Sequence, residues 1–108
     1  MEQVFNKLVR DNIPNIIESN GEAAITRILS DDEYRTELYK KLLEESHEVI
    51  NSQRPEDTLE ELADVFEVLK AIAELQGKNI DDIIEIANQK RLKRGGFSKR
   101  IYLEKTYK

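Results

Sequence analysis

The chain has 108 residues, of which 36% are charged, and its formal net charge at pH 7 is −5. This length corresponds to one domain, and the absence of cysteine excludes a disulfide framework and thiol chemistry. The negative charge argues against broad nucleic-acid binding. Because no signal sequence or membrane-length apolar run is present, we expect a cytoplasmic protein with neither nucleic acid nor membrane as partner.

The first predicted helix runs from about Ile13 to Ser19. Pro14 fits its first turn, where proline loses no needed hydrogen bond. Gly21 follows the last turn, and glycine readily adopts the left-handed conformation that ends many helices. We therefore expect a short amphipathic helix near the N-terminus.

A short strand is predicted next, at residues 23–29, because this segment contains β-branched residues without a helical period. A single strand is not stable alone and needs a partner. The best candidate is residues 97–103, which contain Ile101 and Tyr102. We therefore expect a minor two-stranded sheet at one end of the molecule.

Two long helices follow, joined by a short polar connection. Ser30 and Glu33 have the spacing of a capping box, which predicts the start of a helix that ends near Asn51. Pro55 fits the first turn of a second helix that ends near Gly77. Because the connection is short, the two helices should pack antiparallel.

The last predicted helix is capped by Asn79 and ends at Gly95-Gly96. Its apolar face continues into Arg91 and Arg94, with Lys90 beside them. Cations at a helix C-terminus are often only complements to the helix dipole. The alternative interpretation is that they hold phosphate groups.

Acidic pairs at spacing i, i+3 occur on both long helices: Glu45 with Glu48, and Glu61 with Asp64. Each pair lies on one helix face, and antiparallel packing would bring the four carboxylates together. Four anions in one place require a cation, and oxygen ligands favour Mg²⁺ or Mn²⁺. In a chain so rich in charge, the alternative is that the acids belong to solvated helix faces.

The spacing ExxE, twelve residues, then ExxD resembles the MazG-like all-α nucleoside triphosphate pyrophosphohydrolases, a superfamily that includes phosphoribosyl-ATP pyrophosphohydrolase. Residues 7–14 (KLVRDNIP) and 90–97 (KRLKRGGF) extend the resemblance over nearly the whole chain. Together they are similar to a small subgroup described as house-cleaning nucleotide pyrophosphatases.

This resemblance implies an all-α fold, an antiparallel helical bundle that assembles into a homodimer or a larger homo-oligomer. It also implies Mg²⁺-dependent hydrolysis of a nucleotide between its α and β phosphates, which yields a nucleoside monophosphate and pyrophosphate. House-cleaning of non-canonical nucleoside triphosphates is the preferred interpretation. The alternatives are phosphoribosyl-ATP hydrolysis and a non-catalytic helical interaction module.

The resemblance also suggests a role for each charged residue. The expected metal ligands are Glu45, Glu48, Glu61 and Asp64. The expected catalytic carboxylates are Glu44, as an outer-shell group or base, and Glu45. The expected phosphate-binding cations are Lys7, Arg10, Lys90, Arg91 and Arg94.

Overall fold

Four helices make up all of the regular secondary structure in the computed structural model, which describes residues 1–108. They are α1 (Ile13–Ser19), α2 (Asp31–Asn51), α3 (Pro55–Leu75) and α4 (Ile80–Arg94). The all-α prediction is confirmed, and each predicted helix is present. None of the four combines the length and apolar character that crossing a membrane requires.

The predicted capping box begins α2. The Glu33 backbone N–H donates to Ser30 Oγ at 3.3 Å, and the Ser30 backbone N–H donates to the Glu33 carboxylate at 3.2 Å. Arg27 adds two hydrogen bonds to this carboxylate, at 3.2 and 2.8 Å. The Arg27 guanidinium, together with the Ser30 donors, lowers the pKa of Glu33 to about 2. The start of α2 is therefore determined by side chains close to it in sequence.

The same reciprocal arrangement begins α4. Asn79 Oδ1 accepts the Asp82 backbone N–H at 3.1 Å, and Asp82 Oδ2 accepts the Asn79 backbone N–H at 2.9 Å. At the other end, Gly95 has a φ of 82°, a left-handed conformation that favours glycine. Both ends of α4 thus agree with the sequence prediction.

The hairpin of α2 and α3 contains the whole core. A hydrogen bond of 2.7 Å joins the hydroxyls of Ser52 and Thr58 and closes the connection between the two helices. Leu38 of α2 and Val68 and Ala73 of α3 are the three buried residues of the chain. Antiparallel packing of these two helices therefore positions whatever lies on their facing surfaces.

Helix α4 projects away from this hairpin. It packs against α3 and not against α2. Only its first residue, Ile80, is partly buried, and residues 81–108 are all exposed. The radius of gyration is 18.4 Å, whereas a compact domain of this length has about 13 Å. The single chain is therefore an elongated hairpin with one projecting helix.

The predicted two-stranded sheet is wrong for the single chain, because neither segment forms a strand. Residues 97–100 form a turn, in which the Arg100 backbone N–H donates to the Phe97 carbonyl at 3.0 Å. The physical reason is the separation of the two segments. Helix α4 is about 22 Å long at 1.5 Å per residue, and it carries the C-terminal segment away from residues 23–29.

Candidate metal centre

Three carboxylates from two helices converge on the hairpin. Oxygens of Glu45 on α2 and of Glu61 and Asp64 on α3 all lie within 4.8 Å of one another. The spacing i, i+3 puts the last two on one face of α3, and the antiparallel hairpin brings that face to Glu45. All three residues are partly buried, and the side chain of Glu45 is only 13% exposed. The prediction that these acids come together is confirmed for three of the four.

Glu61 is the carboxylate on which this crowding acts most clearly. Its pKa is raised, first by desolvation and then by the negative charges of Asp64, Glu48 and Glu45. Both effects disfavour the ionised carboxylate. A cation between these oxygens would remove the repulsion, so the electrostatics of the cluster favour binding of a positive ion.

Glu48 lies at the rim of the cluster. It is exposed, and none of its oxygens belongs to the group within 4.8 Å. Its charge still contributes to the raised pKa of Glu61, so it remains near the other carboxylates. Glu48 can therefore join a bound ion only if its side chain moves inward.

The N-terminal segment supplies cations to this cluster. Arg10 Nη2 lies 2.7 Å from Asp64 Oδ1. Lys7 Nζ lies 3.4 Å from Glu44 Oε1. Both cations were predicted to bind phosphate, and the structure places them beside the predicted carboxylates. The approach to the acidic cluster thus carries positive charge.

Lys41 is a residue of this site that the sequence prediction missed. Its Nζ lies 3.4 Å from Glu45 and 3.5 Å from Glu44, and its side chain is 17% exposed. The signal was available, because residues three and four apart on a helix are neighbours. Lys41 partly compensates the charge of Glu45, and it shares Glu44 with Lys7.

The cations at the end of α4 are placed differently. Lys90, Arg91 and Arg94 are exposed, and none forms an ion pair with the acids of the hairpin. They line an open cleft with Gly96 and Phe97. The Arg91 guanidinium lies over Gly96, where an added Cβ would be 3.0 Å from Nη1. Within one chain, this basic group does not reach the acidic cluster.

The donor chemistry of the cluster fits Mg²⁺ or Mn²⁺. The three groups offer only carboxylate oxygens, which these hard cations prefer. Oxygens on opposite sides of an octahedral Mg²⁺ lie about 4.2 Å apart, so a spread of 4.8 Å requires only small side-chain rotations. Glu45, Glu61 and Asp64 are therefore the residues that would hold the ion.

Comparison with known proteins identifies no family for this chain. No family model matches it, and no solved structure matches it. A stretch of 43 residues is 49% identical to an uncharacterized protein of Mycolicibacterium smegmatis. This stretch is 40% of the present chain and 44% of that relative, so the chain spans less than half of the relative's length.

Proposed function

We propose that this protein is a Mg²⁺-dependent nucleotide pyrophosphohydrolase. It would cleave a nucleotide between the α and β phosphates and release a nucleoside monophosphate and pyrophosphate. The observation that carries the proposal is the convergence of Glu45, Glu61 and Asp64, whose oxygens lie within 4.8 Å of one another across two helices. A solvated helix face would not bring three partly buried carboxylates from two helices this close together.

The acids of the hairpin have distinct roles in this proposal. Glu45, Glu61 and Asp64 would hold the ion, and Glu48 would join them after its side chain moves inward. When bound, Mg²⁺ would neutralise charge on the phosphates and would lower the pKa of the attacking water. Glu44 is the outer carboxylate that orients this water or accepts its proton, and its ion pairs with Lys7 and Lys41 fix its position.

Arg10 and Lys7 bind phosphate in this proposal. Arg10 pairs with Asp64, and the two side chains are 55% and 42% exposed. Exposed ion pairs contribute about 0–1 kcal/mol, so Arg10 can leave Asp64 for a phosphate at small cost. A cation that faces the leaving pyrophosphate stabilises the charge that develops on it.

The substrate class proposed is non-canonical nucleoside triphosphates, which is the house-cleaning activity that the sequence resemblance implies. A panel of canonical and modified nucleoside triphosphates, with phosphoribosyl-ATP included, tests this choice. The panel is assayed with millimolar Mg²⁺ and scored for pyrophosphate. Preferential cleavage of phosphoribosyl-ATP would reassign the substrate and keep the reaction.

Self-association is part of the proposal. The single chain exposes 10179 Å², whereas a compact protein of 12.6 kDa exposes about 6,200 Å². Apolar side chains of the hairpin contribute to this excess, among them Leu43, Ile50, Leu59 and Leu62. We therefore propose a homodimer or a larger homo-oligomer that covers these side chains.

The variant Asp64→Asn tests the metal site directly. The substitution keeps the shape of the side chain and removes one ligand charge. Hydrolysis should fall by about a hundred- to a thousandfold, equivalent to about 3–4 kcal/mol of transition-state stabilisation. Melting curves with and without Mg²⁺ should show a stabilising shift in the parent that the variant lacks.

Glu60→Gln is the matched control, because Glu60 is an exposed acid on α3 outside the cluster. This control should keep both the Mg²⁺ shift and the activity. If Asp64→Asn retains the parent's Mg²⁺ response, Asp64 is not a ligand. If no nucleotide is cleaved and Mg²⁺ does not stabilise the parent, the chain is a non-catalytic helical module.

A further inference from the structure

Two segments outside the helices leave their main-chain groups unpaired. Residues 23–29 and 101–108 take part in none of the backbone hydrogen bonds of the chain. Unpaired N–H and C=O groups in an extended segment are a template for pairing with another strand. These two segments are therefore the places where the chain can add a strand.

The side chains of both segments are suited to strands. Ile25 and Ile28 are each 96% exposed, and an odd spacing puts them on opposite faces of a strand. Residues 101–107 read IYLEKTY, in which β-branched and aromatic residues are frequent. Ile101 and Leu103 are exposed and would share one face of such a strand. Each segment thus offers both backbone and apolar surface for pairing.

The two segments cannot meet within the chain as it is folded. Residues 23–29 precede α2 directly, whereas residues 101–108 follow the far end of α4. Because α4 is about 22 Å long and leaves the hairpin after Ile80, it acts as a spacer between them. A second copy of the chain carries the complementary segment without this restriction.

Charge also favours a second copy as the partner. The C-terminal segment carries four cations and one carboxylate between residues 97 and 108, although the whole chain has a net charge of −5. The first turn of α2, which follows residues 23–29, is acidic at Asp31, Asp32 and Glu33. The Asp32 side chain is fully exposed. Three of the four cations, Lys99, Arg100 and Lys108, flank residues 101–107, so they would gain complementary contacts if these residues lay beside the acidic turn.

We propose that residues 101–107 of one copy form a β-strand pair with residues 23–29 of a second copy. Under two-fold symmetry each copy gives its C-terminal strand to the other, so the dimer contains two such strand pairs. No copy is then left with an unpaired segment to which a third chain could add. The excess exposed surface of about 4,000 Å² per chain is ample for an interface of the obligate class. This inference rests on the self-association proposed above and is independent of the hydrolase activity.

The absence of natural cysteine makes a cross-linking test direct. Thr26→Cys and Glu104→Cys are made as separate full-length variants, co-expressed, and treated with a short bismaleimide. These positions are the centres of the two segments, so they lie close together whether the strands run parallel or antiparallel. The expected result is a covalent product of two-chain mass that contains one copy of each variant.

The matched control uses the variant Gln53→Cys in place of Thr26→Cys. Gln53 is exposed in the turn between α2 and α3. This control should give little heterodimeric product with Glu104→Cys. Sedimentation analysis of the parent is run in parallel. If the parent is a dimer but Thr26→Cys and Glu104→Cys give no cross-linked product, the strand exchange is wrong and self-association stands. If the parent is a monomer, both are wrong.

Two further outcomes would overturn the exchange. Equal cross-linking of the control would mean that the tail reaches the whole surface by random collision. A single chain that carries both Thr26→Cys and Glu104→Cys and cross-links only within itself would mean that the strands pair in one copy. Neither outcome would bear on nucleotide hydrolysis, which is measured separately on the parent.

Discussion

Two regions of the chain carry lysine and arginine that were predicted to bind phosphate, and their surroundings differ. Near the N-terminus, Arg10 lies 2.7 Å from Asp64, and Lys7 lies 3.4 Å from Glu44. At the end of α4, Arg91 and Arg94 are exposed and face an open cleft. The N-terminal segment crosses the acidic hairpin, whereas α4 leaves it. The path of the chain, and not the number of cations, decides which region can compensate the carboxylates.

The proposed reaction can use these regions in two ways. The N-terminal cations are already at the carboxylates, so they can contact a phosphate that binds there. The cations of α4 can contribute only from another position, such as the site of a second copy. Substitutions in each region separate these roles.

The largest effect is expected for Arg10→Ala. Loss of a cation that faces the phosphates should lower hydrolysis by about a hundredfold. Mg²⁺ binding should instead become tighter, because the competing positive charge on Asp64 is removed. Steady-state kinetics and a Mg²⁺ titration of the melting temperature measure these opposite changes.

Arg27→Ala is the control for this prediction, since Arg27 pairs with Glu33 away from the carboxylate cluster. Its Mg²⁺ titration and its hydrolysis rate should match those of the parent. If Arg10→Ala weakens Mg²⁺ binding, the guanidinium supports the cluster instead of competing with a bound ion.

A smaller effect is expected for Arg94→Ala. Its side chain makes no ion pair in the single chain, so the melting temperature should stay at the parent value. Substrate use should fall by about tenfold, which corresponds to about 1.4 kcal/mol. The neighbouring Lys93→Ala is the control, because Lys93 does not line the cleft. If turnover is unchanged in Arg94→Ala, Arg94 does not bind substrate and only complements the helix dipole.

The smallest effect is expected for the metal-free stability of Glu61→Gln. The folded state raises the pKa of Glu61 above its ordinary value of 4.5. Folded protein therefore holds this proton more tightly than unfolded protein, so its stability falls as pH rises from about 4.5 through the raised pKa. Glutamine does not ionise, so the variant should not lose stability over this pH range. At pH 7 it should therefore be more stable than the parent, and at pH 4 it should not.

Melting temperatures in EDTA at both pH values measure this difference, with Glu60→Gln as the control. A Glu61→Gln variant that melts below the parent at pH 7 would show that Glu61 is a stabilising acid. The carboxylates would then be compensated by the nearby cations without any bound ion.

Much of the candidate site could be predicted because its determinants are local. The spacing i, i+3 placed Glu61 and Asp64 on one face of α3, and the short connection after Asn51 made the hairpin antiparallel. Those two facts, together with the position of Glu45 beside the apolar face of α2, predict that Glu45 comes close to the other two acids. Glu48 lies one turn further along α2, and its exposure depends on how α2 is rotated against α3. Periodicity alone does not determine that rotation.

The sequence by itself determined the four helices, because caps, prolines and apolar periodicity act over a few residues. It also determined the acidic hairpin, since a short connection leaves two long helices few ways to pack. Only the tertiary structure decided that Lys7 and Arg10, and not the cations of α4, reach the acids. It also decided that residues 23–29 and 97–103 stay apart in one chain. These features depend on the directions in which the N-terminal segment and α4 leave the hairpin. Such directions arise from contacts between residues far apart in the sequence, which no local pattern records.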